Sequence, residues 1–563
     1  MDLGADGDGM PEGAAPEMPT EAQPARTYKP ADPALHRFRG RRDEYLHELL
    51  RRDGCMSHEV DNHICGVCGL TTDAFVRCVS CFGSEMTCSR CCVEAHAANP
   101  FHRVETWNVR FFEKTTLKKL GLHVQLGHRL GQRCVTPRRL YNGFVVLHTN
   151  GIHEVDVDLC DCENAERAGA AEIQMLRVGW FPATDDVPRT CATFECLDLF
   201  ITATLQAKTT AYDFYRMLEK MTDSTGVKLP DRYAALLRMN REYSHLMMLK
   251  RGGVGHEPEG VAGTAPGAPA VHCLCCPRPG INIPDDFQNV PPEKQFLYVC
   301  FIALDACFRL KRRMVSNELK DPTLGPGWSY FVESKPYWEH LRGATNQQEM
   351  STCSGLAALD HANTKFSRGY SSTGVGMGVC ARHEFVQPTG FGDLQKGERY
   401  VNMDYIFASL MRHKDSRLFK IISYDIVCQW WKNLVDRLKE LPGLVRIAAL
   451  IHLWRFVIPK MHILGHLIAC QLAYSLSYVP GSAQTDGEGI ERPWANFGAV
   501  AGSTREMGPG SREDVLNNHM GYWNWQKLIS LLERLRARID RARAEYASQL
   551  EGFTAAGPVN FTH

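Results

Sequence analysis

The second half of the sequence predicts an α/β domain, and a cysteine-rich metal-binding region precedes it. Three observations carry this. Residues 295–530 alternate strand-length apolar runs with helical periodicity, the pattern of strands covered by helices. Residues 65–102 contain cysteines in pairs two residues apart, the spacing of metal knuckles. Between them, Gly252 to Pro269 (GGVGHEPEGVAGTAPGAP) is rich in Gly, Ala and Pro and reads as a flexible linker.

Each element follows in order along the 563 residues. Residues 1–33 offer little apolar surface, and disorder is expected there. Residues 35–52 (LHRFRGRRDEYLHELLRR) have the pattern of a short basic helix, so 1–52 forms an N-terminal arm. A cross-braced zinc module is expected over 60–105, a cysteine-cluster domain over 106–250 and the linker over 251–270. The α/β core occupies 271–527, and a C-terminal helix and tail fill 528–563. That helix places Leu528, Leu531, Leu535, Ile539, Ala542 and Tyr546 on one face, a stripe expected to pack on the same chain.

Composition limits the function classes. Lysine plus arginine equals aspartate plus glutamate at 64 each, so any nucleic-acid contact must come from local basic patches. No stretch approaches the roughly 18 apolar residues of a membrane span, so no membrane partner is expected. The first residues lack the apolar core of a secretory signal, which favours an intracellular, reducing setting. The 22 cysteines are then metal ligands before they are disulfides.

The metal pattern is Cys65-x2-Cys68, Cys78-x2-Cys81, Cys88-x2-Cys91, then His96 and His102. Eight ligands suit two tetrahedral zinc ions. Cross-bracing puts Cys65, Cys68, Cys88 and Cys91 on one ion and Cys78, Cys81, His96 and His102 on the other, with Cys92 spare. Four protein ligands leave no open position, so these are structural sites that let a small segment fold. A second set holds His128 and Cys134, His148 and His153, and Cys160-x-Cys162, enough for a third zinc.

The core supplies acids at the ends of predicted strands. The apolar run from Phe296 to Leu304 delivers Asp305, and the run from Leu418 to Tyr424 delivers Asp425. Glu488 and Glu491 lie three apart, on one face of a predicted helix. An aspartate after a strand also serves as an ordinary loop cap. Cys380-x2-His383 offers a further metal pair, with His462 and His466 as its expected partners. Arg505, Arg512 and His519, in a Gly- and Ser-rich stretch, are candidates for phosphate contacts, with an ordinary polar loop as the alternative.

Several phrases resemble known sequences. PFHRVETWN (100–108), LGLHVQLGH (120–128), HTNGIHEVDVDLCDC (148–162) and LRVGWFPAT (176–184) are similar to the CxC-type cysteine cluster associated with KDZ (Kyakuja-Dileera-Zisupton) transposases. This likeness runs from about 65 to 225. CCPRPGIN (275–282), LDACFRLKRR (304–313), CARHEF (380–385), GDLQKGERYVNMDYIFAS (392–409), SYDIVCQWWKN (423–433), IPKMHILGH (458–466) and the long segment 479–525 resemble the KDZ transposase core. The resemblance implies an RNase H-like fold with helical insertions and a DDE-type acidic triad. The triad falls on Asp305, Asp425 and Glu488, with Glu491 as the alternative third member. It also implies catalytic Mg²⁺ or Mn²⁺ beside structural Zn²⁺, transposon ends and target DNA as substrates, a nuclear location and a homo-oligomer.

Two departures stand out. Cys307 replaces the asparagine common in the family, which removes an amide and no carboxylate. The chain ends 38 residues after Trp525, short for the family, so loss of a region used for assembly or DNA contact is expected. Two readings compete: an active transposase, and a catalytically inactive domesticated one acting as a zinc-dependent DNA- or chromatin-binding protein. A zinc-module interaction protein without a DNA role is the third.

Overall fold

The computed structural model describes residues 32–55, 63–83, 85–344 and 369–556. The expectation of disorder for 1–33 falls almost wholly outside them. Two compact units divide the chain, 1–121 and 122–563.

The first unit opens with two helices, α1 (Pro33–Gly40) and α2 (Arg42–Asp53), where the sequence suggested one. The Asp32 side chain caps α1 by accepting from the Ala34 N–H at 2.9 Å. A four-stranded antiparallel sheet follows, in the order β2-β1-β3-β4: β1 (Phe75–Cys78), β2 (Thr87–Cys88), β3 (Val104–Trp107) and β4 (Phe112–Thr115). Helix α3 (Ser89–Ala95) starts directly from β2. With so few strands the unit buries little apolar surface, which is where metal ligation matters.

The second unit begins with a six-stranded sheet: β5 (His123–Gln125), β6 (Pro137–Arg139), β7 (Phe144–His148), β8 (Gly151–Cys160), β9 (Trp180–Pro182) and β10 (Thr190–Thr193). Three helices cover it: α4 (Phe194–Ala207), α5 (Ala211–Thr222) and α6 (Tyr233–Arg251). Their core includes Phe200, Phe214, Leu236 and Met239.

Gly252–Pro269 is exposed over most of its length. Val254–His256 and Gly260–Gly263 are short 3-10 turns, and Val254 is buried. Arg241 on α6 pairs with Asp514 and Asp321 at 2.6 Å each, so the segments on either side are already joined.

A five-stranded sheet forms the centre of the second half, in the order β15-β14-β11-β16-β17. Its members are β11 (Cys300–Cys307), β14 (Gly374–Cys380), β15 (Val386–Leu394), β16 (Lys420–Tyr424) and β17 (Trp454–Val457). A separate ribbon pairs β12 (Arg312–Arg313) with β13 (Tyr370–Ser372). Strands β11, β14 and β15 are antiparallel neighbours, and β16 and β17 run parallel to β11. β11 is buried on both faces: Ile302 and Leu304 enter one core, Phe301 and Ala303 the other.

Helices close both faces. The first core packs α7 (Tyr400–Met411), buried along almost its whole length, and Trp430. The second packs α9 (Glu491–Phe497) and α10 (Pro509–Ile529), with α8 (Ile468–Tyr474) preceding them in the chain.

Three expectations change. Strand β11 starts at Cys300, because Pro292–Tyr298 forms a 3-10 turn with Phe296 and Leu297 exposed. Pairing with β16 begins at Cys300, so the earlier apolar residues have no ladder to join. The C-terminal helix is α11 (Leu531–Ala556), separated from α10 at Ser530, and Leu528 belongs to α10. Leu531 is buried, but Ile539 and Tyr546 are exposed, so the stripe does not pack along its length.

Candidate metal centres and acidic site

The cysteine pairs of the first unit converge as the spacing requires. Cys65, Cys68, Cys88 and Cys91 form one cluster, and Cys78, Cys81, His96 and His102 the other. Tetrahedral zinc with bonds of roughly 2.3 Å to sulfur and 2.0 Å to nitrogen sets edges of about 3.8 Å between sulfurs and about 3.6 Å between sulfur and nitrogen. The Cys68 and Cys88 sulfurs lie 4.0 Å apart, and Cys81 Sγ lies 3.4 Å from His96 Nε2 and 3.3 Å from His102 Nδ1. His96 Nδ1 donates to the Cys92 carbonyl at 2.7 Å, which leaves Nε2 as the ligating nitrogen. Burial raises the Cys65 thiol, but N–H groups of Cys68, Cys88 and Val67 outweigh it and bring the pKa to about 6. Cys92 takes no part in either cluster; burial pushes its thiol up to about 11.

A third cluster joins His128, Cys134, Cys160 and Cys162. Its Cys160 and Cys162 sulfurs are 3.5 Å apart, and Cys162 Sγ is 3.6 Å from His128 Nε2. His148 and His153 lie outside it, bonded to Thr193 and Asn150 at 3.0 and 2.7 Å.

A fourth cluster corrects the sequence reading of Cys380 and His383. Their partners are Cys273 and Cys276, not His462 and His466. His383 Nδ1 is 3.4 Å from both Cys273 Sγ and Cys380 Sγ. Hydrogen bonds from the Cys273 and Cys276 thiols, the main cause, hold the Cys380 thiol well below its usual range. The signal was present as another x2 pair, but its complement lies 104 residues away between Cys276 and Cys380. All four clusters carry zinc-type donor sets, one of four cysteine sulfurs and three that mix cysteine sulfur with imidazole.

Two of the acids lie on or beside neighbouring parallel strands. Leu304 pairs with Tyr424, so Asp305 within β11 and Asp425 in the turn after β16 each directly follow a paired residue on adjacent parallel strands. Asp305 Oδ2 accepts from Trp494 Nε1 at 2.7 Å. Burial first, then the charges of Asp425 and Glu398, push its carboxyl well above the usual range. Burial also raises Asp425, to about 6, with Glu488 and Glu491 adding to it and His462 opposing.

Glu488 lies in the turn before α9 and is buried. It accepts the Met461 N–H at 2.8 Å. His462 bridges the acids, with Nε2 3.4 Å from Asp425 Oδ2 and Nδ1 3.3 Å from Glu488 Oε2. Glu488, as acceptor from the His462 ring and ahead of the nearby charges, raises His462 to about 9. Glu491 is the first residue of α9, exposed, and within electrostatic reach of Asp305 and Asp425.

The loop around Glu488 is tightly fitted. Gly487 has φ +81°, and a Cβ on Gly489 would stand 2.5 Å from the Ala381 carbonyl oxygen. Arg382, between the ligands Cys380 and His383, donates to Thr485 and to the Gly481 carbonyl at 3.1 and 2.7 Å. The fourth cluster thus abuts the loop that carries Glu488.

Sequence reasoning missed Glu398, whose carboxylate accepts from the Tyr424 hydroxyl beside Asp425. It also proposed phosphate contacts that the structure does not support for two residues. Arg512 is buried and paired with Asp393, and His519 is buried and pushed down to about 3 by that burial. Arg505 is half-buried, its carbonyl accepting from the Arg313 N–H.

Comparison with known families matches two segments of the chain. Residues 298–524 match the model of the Kyakuja-Dileera-Zisupton transposase. Residues 117–226 match the CxC2 like cysteine cluster associated with KDZ transposases. The chain therefore carries a KDZ transposase domain together with its associated cysteine cluster. The second match begins at 117, so the two-zinc-type module of 65–102 lies outside it. Neither the curated proteins nor the solved structures give a match. No helix among the described residues is long and apolar enough to cross a membrane.

Proposed function

We propose that the protein is a DDE-type DNA transposase whose core is RNase H-like and whose acids Asp305, Asp425 and Glu488 bind catalytic divalent cations. The observation that carries this reading is that Asp305 and Asp425 each directly follow the paired residues Leu304 and Tyr424 of adjacent parallel strands. The strand order supports the fold: an antiparallel three-strand meander, extended by two strands parallel to its first member.

The donor set fits magnesium or manganese. Clustered carboxylates, raised first by burial and further by one another's charge, are hard oxygen ligands gaining from a cation. Held there, the cations supply the Lewis acidity that activates a water or 3′-hydroxyl and stabilises the leaving oxygen of a phosphodiester. Asp305 is oriented by Trp494, and Glu488 by the Met461 amide. Glu488 is the better third acid than Glu491, because it is buried and linked through His462 to Asp425. Glu491 adds charge at the rim.

The four Cys/His clusters are structural zinc sites on this reading, with four protein ligands each. The substrates are transposon ends and target DNA, the location nuclear, and the working form a homo-oligomer. Domain boundaries follow the sequence reading, with the cysteine-cluster domain and core joined through α6 and α10.

Supercoiled plasmid incubated with the protein and Mg²⁺ or Mn²⁺ tests the reading. Nicking that depends on metal and is abolished in Asp425→Ala is expected. Equal nicking by both proteins, or none with cognate ends supplied, contradicts it and favours the domesticated, non-catalytic alternative.

A further inference from the structure

Directly behind the acids lies another convergence of metal-binding side chains. Cys428, His466 and Cys470 bring two sulfurs and an imidazole nitrogen within 4.8 Å of one another. Cys428 and His466 are buried and Cys470 is half-buried. The Cys428 sulfur is 3.7 Å from His466 Nδ1, close to the edge of about 3.6 Å that tetrahedral zinc sets between sulfur and nitrogen.

The three come from two chain segments that also carry the acidic site. Cys428 is three residues after Asp425, in the short helix Val427–Trp430. His466 is four residues after His462, and Cys470 lies on α8.

We propose that Cys428, His466 and Cys470 bind a zinc ion that ties the Asp425 turn to the His462 segment. Two thiolates and one imidazole select zinc over magnesium. Three protein ligands leave one coordination position, which water fills from the half-buried Cys470 side. The ion is distinct from the divalent cations assigned to the carboxylates, and its presence does not depend on the transposase reading. Its role is positional: it fixes the spacing between two segments that also meet through His462 and Asp425 at the acidic site.

Zinc content per chain, measured on the full-length holoprotein, tests the proposal. Five ions are expected in the wild type, one for this site and four for the four-ligand clusters. Cys470→Ser, at a half-buried position, is expected to hold four, and Cys275→Ser, outside every cluster described here, is expected to hold five. Alkylation of the wild-type protein gives a second readout that needs no variant. Cys470 should resist iodoacetamide until a chelator removes zinc, and then react. Unchanged zinc in Cys470→Ser, or rapid alkylation of Cys470 with all zinc retained, would overturn the site. Neither result bears on plasmid nicking, so failure here and failure of the transposase reading are separable.

Discussion

Replacing Arg241 with methionine should destabilise the cysteine-cluster region and the catalytic core together. Its guanidinium sits between two carboxylates, with Nε 2.6 Å from Asp514 and Nη1 2.6 Å from Asp321. A further N–H donates to the Pro322 carbonyl. The side chains are only 19%, 14% and 12% exposed for Arg241, Asp321 and Asp514. Removing one partner of a buried pair costs about 3–5 kcal/mol, because the remaining charge is left without its counter-ion. The two pairs share one guanidinium, so their costs do not add. Hydroxyl donors remain, Thr323 to Asp514 and Ser511 to Asp321 at 2.9 Å each, which places the expected loss near the lower end, about 3 kcal/mol. Urea unfolding of the holoprotein at fixed zinc reads the loss, and hydrogen exchange locates it. Exchange should rise in both α6 and α10. A loss under about 1 kcal/mol, the range of exposed pairs, or faster exchange in α6 alone would refute the reasoning.

Two further outcomes follow from the acidic site. His462 has its folded pKa raised to about 9, above the unfolded value of 6.5, so its stabilising contribution is complete below pH 6.5 and is lost as the pH rises through 9. Without added divalent cation, His462→Asn should flatten the decline in stability between those pH values; an unchanged slope would remove His462 from that role. Trp494→Phe keeps an aromatic ring but deletes the donor to Asp305; hydrogen bonds to charged groups contribute about 1.5–3 kcal/mol, so nicking should fall at least tenfold. Full activity in that variant would show that Asp305 needs no such orientation.

Local chemistry was legible in the sequence where it depended on spacing. The x2 cysteine pairs form knuckles over a few residues, and the cross-braced assignment of Cys65, Cys68, Cys88 and Cys91 reappears in the structure. Asp305 and Asp425 were visible because buried strands read as apolar runs, although β11 proved to begin at Cys300 and to carry Asp305 within it. Long-range partnership was not legible. Nothing local says that Cys276 meets Cys380, or that His462 turns towards Asp425 and Glu488 while His466 meets Cys428. Arg512 shows the same limit in reverse. It sits in a polar, glycine-rich stretch that suggests an exposed loop, yet the stretch is α10 and Asp393 neutralises the charge inside the protein. Composition alone also does not reveal that Arg241 on α6 pairs with Asp321 and Asp514 on the far side of the 251–270 stretch.

The central claim is that Asp305, Asp425 and Glu488 hold divalent cations as one site. Mn²⁺ binding to the zinc-loaded protein, followed by electron paramagnetic resonance, tests it most directly. The account predicts Mn²⁺ bound by the wild type and lost in Asp425→Asn with the zinc content unchanged. Equal Mn²⁺ binding by the two proteins would contradict it.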